Sequence, residues 1–181
     1  MGLKLSFELT DRDLRYFREA LQNSRKAVQH AEESEIIDAI RQVLDDIRSN
    51  EPLPDFVATR IPQLESLISM LTDEDWQLPA EDRERLLATF VYFGDPEDIL
   101  PDDVPVIGYL DDVIILELVA RELIHIREAY DDFCVYRDEY DAEYGSDGDA
   151  LLRRDRLDKR RQKLHQRMNR RTARDRKARI W

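Results

Sequence analysis

Apolar residues recur along most of the chain at spacings of three, four and seven, the period of one helix face, and no run alternates with the two-residue period of a strand. Thr10, Asp11, Arg12 and Asp13 read as a relaxed capping box, and Leu14, Phe17, Leu21 and Val28 follow on one face, predicting an amphipathic helix over 10–31. Residues 1–9 are short and mixed, suited to an extended arm. Ser34 is placed to cap a second helix with the face Ile36, Ile37, Ile40, Val43, Leu44 and Ile47, which stops at Asn50-Glu51-Pro52. A third carries Ile61, Leu64, Leu67, Ile68 and Leu71, with Pro62 tolerable only in its first turn. Thr72-Asp73-Glu74-Asp75 is another cap signal, and Leu86, Leu87, Phe90 and Phe93 predict a fourth helix over 80–93.

Three prolines and two glycines within residues 94–108 forbid a continuous helix there. No proline follows Pro105, so a long helix is expected from Tyr109. Leu110, Val113, Ile114, Ile115, Leu116, Leu118, Val119, Leu123, Ile124 and Ile126 cover most of its surface, which predicts that 109–126 is the central and most buried helix. It continues in the pattern Tyr130, Phe133, Tyr136, Tyr140 and Tyr144 until Gly145-Ser146-Asp147-Gly148-Asp149 breaks it. Beyond Ala150 the composition stays helical, but Leu152, Leu157, Leu164 and Met168 form a stripe too sparse for a core of its own. The expected fold is all-α: a compact bundle of about five helices around a long central one, plus a basic C-terminal tail, helical or partly disordered. Residues 104–120 are the most apolar stretch, yet Asp111, Asp112 and Glu117 interrupt it, so it reads as a core helix rather than a membrane span.

Composition supports this class: with 5 Gly and 7 Pro in 181 residues, a turn-dense β sandwich or barrel is excluded. The net charge of −12 changes the picture more, because it hides a split. Residues 151–181 carry +11 and residues 1–150 carry −23. Two parts are therefore expected, an acidic helical domain over 1–149 and an Arg-rich tail over 150–181. Arginine forks suit phosphate and carboxylate, which makes Arg153, Arg154, Arg160, Arg161, Arg167, Arg170, Arg171 and Arg174 the candidate polyanion-binding residues. Trp181 is the only tail aromatic, so base stacking would be minimal and nucleic acid would be held by its backbone. The rival reading clamps the tail onto an acidic protein surface, either its own body or a second copy in self-association. A third lays it on anionic lipid headgroups as a peripheral membrane protein. Cys134 stands alone, which rules out a disulfide framework and suits the cytoplasm, or the inner membrane face on the peripheral reading. The first residues lack the apolar core of a signal peptide, and Met1-Gly2 with Ser6 matches only the loose myristoylation pattern.

One segment carries a motif. Phe90-Val91-Tyr92-Phe93 leads into Pro96-Glu97-Asp98-Ile99-Leu100-Pro101-Asp102, then Pro105-Val106-Ile107-Gly108-Tyr109-Leu110-Asp111-Asp112. Over about 86–126 this resembles the YkvA-like family (DUF1232), a small helical domain of unknown function. The hallmark is two proline-aspartate turns, then a glycine before a paired aspartate that opens an apolar helix. The resemblance implies a helical fold and brings no reaction, cofactor or catalytic residue. Glu97 and Asp103 stand where apolar residues are usual in the family, which speaks against a membrane-facing role.

Asp98, Asp102, Asp111 and Asp112 are the candidate metal ligands, since hard cations want several oxygens. Capping explains them more cheaply: Asp98 and Asp102 close proline turns, and Asp111 and Asp112 sit where a helix dipole favours negative charge. Glu122-Leu123-Ile124-His125 is a single Glu-x-x-His, whereas a di-iron bundle needs two. Cys134 has acidic neighbours and no histidine partner nearby in sequence, so it reads as a packing residue. The tyrosine stripe could pack on a neighbouring helix or serve a partner. With no nucleophile–base pair and no phosphate loop, the expectation is a non-catalytic interaction protein without a cofactor; a metal-dependent module at the aspartate turn is the alternative.

Overall fold

The computed structural model describes residues 8–49, 54–93, 110–145 and 150–178. All regular structure among them is helical: α1 (Asp11–Val28), α2 (Glu33–Ser49), α3 (Asp55–Ala58), α4 (Ile61–Thr72), α5 (Ala80–Phe93), α6 (Leu110–Glu122), α7 (Ile124–Tyr144) and α8 (Ala150–Ala178). The all-α expectation is met, and the periodic segments up to residue 93 become the helices they predict. The chain divides into two compact units, Met1–Ile61 with Glu84–Leu116, and Pro62–Arg83 with Glu117–Trp181.

In the first unit α2 buries Ile36, Ile40 and Leu44 at four-residue spacing, one face of a helix. Its start differs from the expected Ser34 cap. The helix begins at Glu33, and the Glu35 carboxylate accepts the Glu32 N–H at 3.3 Å, the reach-back half of a capping box. Pro54 leads into α3, a short turn absent from the periodic pattern, and the Thr59 hydroxyl closes it by donating to the Asp55 carbonyl at 2.9 Å. α5 buries Leu86, Leu87, Phe90 and Tyr92 along with Ala88 and Thr89, and Thr89 satisfies its hydroxyl on the Arg85 carbonyl at 2.9 Å.

The second unit is organised by the turn that follows α4. One Asp73 carboxylate oxygen accepts the N–H groups of Asp75 and Trp76 at 2.9 and 3.1 Å, and the other accepts the Tyr130 hydroxyl at 3.1 Å and the Arg137 guanidinium at 2.7 Å. This places Trp76 fully inside, with ring centroids 5.6 Å from Tyr130, 5.3 Å from Phe133 and 4.5 Å from His165. Gln77 takes the left-handed backbone the turn requires, at φ 49°.

The helix expected from 109 through 144 is not continuous. Leu123 leaves helical geometry at φ −94°, ψ 10°, ending α6 and opening α7, while its N–H still reaches the Val119 carbonyl at 2.9 Å and its carbonyl accepts from Arg127 at 2.9 Å. The i−4 hydrogen bonds on either side keep the helical phase, so Leu123 and Ile126 stay on the buried face with Val119 while Ile124 points outward, nearly half exposed. Nor is 109–126 the most buried helix. Its apolar residues surround the axis, but only Ile115, Leu116, Val119 and Ala120 join Leu123 and Ile126 inside; Val113, Ile114 and Leu118 are half-buried, and α4 and α5 are buried as deeply. Of the sparse stripe of α8, Leu157, Leu164 and Met168 are buried, while Leu152 stays 47% exposed.

Candidate functional site

α8 runs antiparallel to α7, and two stripes on it, one against α7 and one in solvent, separate its charges. The inner stripe is Leu157, Leu164 and Met168, flanked by arginines seven residues apart, Arg153, Arg160 and Arg167. Arg153 forks onto Asp141 at 2.7 and 2.8 Å and reaches Asp75 at 3.2 Å. Two-point hydrogen bonding of this kind is the strong form of an ion pair. It holds the Arg153 pKa above its usual range and the Asp141 carboxyl below its own. Arg160 lies over the Tyr136 ring, 5.2 Å from its centroid. Arg161 donates to the Asp75 carbonyl at 2.9 Å and pairs with Asp158 at 2.9 Å. Further along, Arg167 pairs with Asp132 and Arg171 with Glu128. At the far end His125 Nε2 meets Asp175 at 2.6 Å, a hydrogen bond that lowers the Asp175 pKa.

The outer stripe is Arg156, Lys159, Lys163, Arg170 and Arg174, spaced 3, 4, 7 and 4 residues apart. At 100° per residue these five fall within about 60° of one another, centred roughly 125° round the helix from Leu157, Leu164 and Met168, and all five are exposed. The stripe is about 27 Å long at 1.5 Å per residue. Lys159 is paired to Asp155 at 2.6 Å within the helix, and Arg174 stands 3.8 Å from Asp175.

The eight arginines singled out in the sequence therefore divide. Arg153, Arg160, Arg161, Arg167 and Arg171 are engaged by carboxylates, a carbonyl or a ring of the chain itself, while Arg154, Arg170 and Arg174 point to solvent. Arg156, Lys159 and Lys163 were missed. The signal that finds them is their phase: they fall on the side of the helix away from Leu157, Leu164 and Met168.

The aspartate candidates are not brought together. Asp98 and Asp102 lie outside the described residues. Asp111 is not an exposed cap but is buried, with the Tyr92 hydroxyl donating to it at 3.4 Å, and Asp112 is half-buried. Among the described residues no three His, Cys, Asp or Glu side chains are grouped to hold a metal ion. Glu122 is exposed at the end of α6 while His125 turns to Asp175, so the Glu-x-x-His pair diverges. Cys134 is half-buried, with Arg137 3.7 Å from its sulfur. Burial, more than its acidic neighbours, pushes its thiol pKa up.

The model of a family described as a protein of unknown function, DUF1232, matches residues 85–118, which span most of α5 and the first turns of α6. No curated protein and no solved structure matches the chain.

Proposed function

We propose that this chain, bearing a DUF1232 segment over 85–118, is a non-catalytic cytoplasmic interaction protein that binds a polyanion through the outer cationic stripe of α8. The observation that carries the reading is the sorting of charge on that helix. Its inner arginines Arg153, Arg167 and Arg171 pair with acids of α7, whereas five exposed cations line a separate face, where Asp155 and Asp175 of the same helix stand beside Lys159 and Arg174. Cations along a rod release counterions when they meet phosphates, which gives affinity without sequence preference. The stripe holds no aromatic residue and so has no means of stacking on bases. Among the described residues no helix is long and apolar enough to cross a membrane, and the cytoplasmic setting agrees with the single cysteine.

The test is a salt titration of the full chain against a DNA duplex. Five neutralised phosphates set a limiting slope of log K on log salt of about −4.5. Replacing Lys159, Lys163, Arg170 and Arg174 with Gln should flatten the slope by about 3 to 4 and weaken binding to all sequences alike. Unchanged binding in that variant overturns the reading. Binding to phosphatidylserine vesicles but not to duplex would move the polyanion to lipid headgroups.

A further inference from the structure

The polyanion reading leaves the tyrosine ladder of α7 unused. Tyr136, Tyr140 and Tyr144 stand at four-residue spacing, with successive ring centroids 6.4 and 4.8 Å apart and planes tilted by 35° and 36°. Together with Glu139, Glu143, Leu152 and Arg156 they line an open groove of about 350 Å³ at the end of α7 and the start of α8. Tyr144 is 59% exposed, Leu152 47% and the adjoining Leu151 81%. Large apolar side chains this open, gathered at one place, mark a surface made to be covered. The two carboxylates outnumber the one guanidinium, so the groove is anionic. The Glu143 carboxylate also engages the Tyr144 hydroxyl, which holds that phenol's proton more tightly.

The ladder already takes one cation of the right kind. Arg160 lies on the Tyr136 ring, leaving the two rings beyond it, Tyr140 and Tyr144, with carboxylates beside them. We propose that this groove binds an arginine side chain of a basic peptide, its guanidinium stacked on Tyr140 and Tyr144 and its N–H groups directed to Glu139 or Glu143. Guanidinium is planar and weakly hydrated, so it stacks on a ring face and forks onto a carboxylate in one pose; an ammonium is a compact, strongly hydrated point charge. Leu151 and Leu152 offer apolar contact to the residues flanking that arginine. The volume suits a side chain with its neighbouring backbone rather than a folded partner. The groove shares Arg156 with the cationic stripe, but the tyrosines and glutamates that would hold the arginine lie outside it, so substituting them tests this site apart from the polyanion reading.

Calorimetric titration of the full chain with a short Gly/Ser peptide bearing two arginines, and with its lysine twin, tests the site. The arginine peptide should bind about fivefold or more tightly than the lysine twin, the size of one or two exposed cation–π contacts. Tyr140→Leu with Tyr144→Leu should abolish that preference without changing the net charge. A generic attraction of cations to an acidic chain would survive this substitution, so the variant isolates the rings. Tyr144 is exposed and Tyr140 half-buried, and leucine keeps the apolar contact of each, so circular dichroism should show an unaltered helix content and melting temperature. Glu139→Gln with Glu143→Gln should weaken both peptides. Equal binding of the two peptides by the unaltered chain, or an arginine preference that persists in the Tyr→Leu chain, overturns the proposal.

Discussion

Asp73 uses two oxygens for four hydrogen bonds, capping the turn with one and holding Tyr130 and Arg137 of α7 with the other. Its side chain is only 9% exposed, so removing it leaves the Tyr130 phenol without its acceptor and the Arg137 guanidinium with only the longer contact to Asp75 at 3.7 Å. Asp73→Ala should therefore cost about 3–5 kcal/mol in urea unfolding, far more than an exposed cap. The sequence marked Asp73 only as a cap, because Tyr130 and Arg137 lie more than fifty positions away and no local pattern joins them. His165 is a second case. Burial against Trp76, with Arg161 nearby, pushes its pKa down to about 4 from the ordinary 6.5. Between those values the unfolded chain takes up a proton that the folded chain does not. Stability is thus full at neutral pH and falls as pH drops from 6.5 towards 4. The loss should be about 1–2 kcal/mol, discounted because the ring is only half-buried. Comparing urea midpoints at pH 7 and pH 4.5 checks this, and His165→Phe should reduce the difference.

At the scale of elements, α8 shows how a weak pattern becomes a firm one. Five large apolar residues in 29 are too few for a core and two of them, Leu151 and Leu152, stay exposed, yet Leu157, Leu164 and Met168 are each at most 3% exposed. Spacings of seven and four keep them in phase, and arginines seven apart border them with carboxylates as partners. Leu164→Ala should cost about 2–4 kcal/mol and raise hydrogen exchange along α8. Arg171→Ala, at a pair more than a third exposed on both sides, should cost under about 1 kcal/mol. α6 and α7 give the opposite lesson. The apolar run through 109–126 has no proline or glycine after Gly108, so periodicity extends one helix across Leu123. Leu123 nonetheless leaves helical angles, and neither a proline nor a glycine marks the place in the sequence.

For the whole molecule, the split of +11 against −23 was legible from the charges alone, and it pointed to both a polyanion and a clamp. The inner face of α8 makes the clamp contacts within the chain, and its outer face keeps cations in solvent. Deleting residues 150–181 should therefore do more than remove a binding tail. It strips the second unit of three buried apolar residues and the ion pairs beside them, so thermal melting followed by circular dichroism should broaden and shift down by several degrees.

The sequence by itself determined the all-α class, the positions of most helices, the family segment over 85–118 and the separation of charge along the chain. Each of these rests on local spacing or on counting, which need no knowledge of what lies across space. Only the tertiary structure decided which arginines are neutralised and which face water. Arginines lie on both sides of the Leu157, Leu164 and Met168 stripe, so its phase marks the inner face, but the acids of α7 decide which of them are paired. The depth of Asp111 and Asp73, the break at Leu123 and the groove beneath the tyrosine ladder were decided in the same way. Burial and partnership are relations between distant residues, and one-dimensional periodicity holds no record of them.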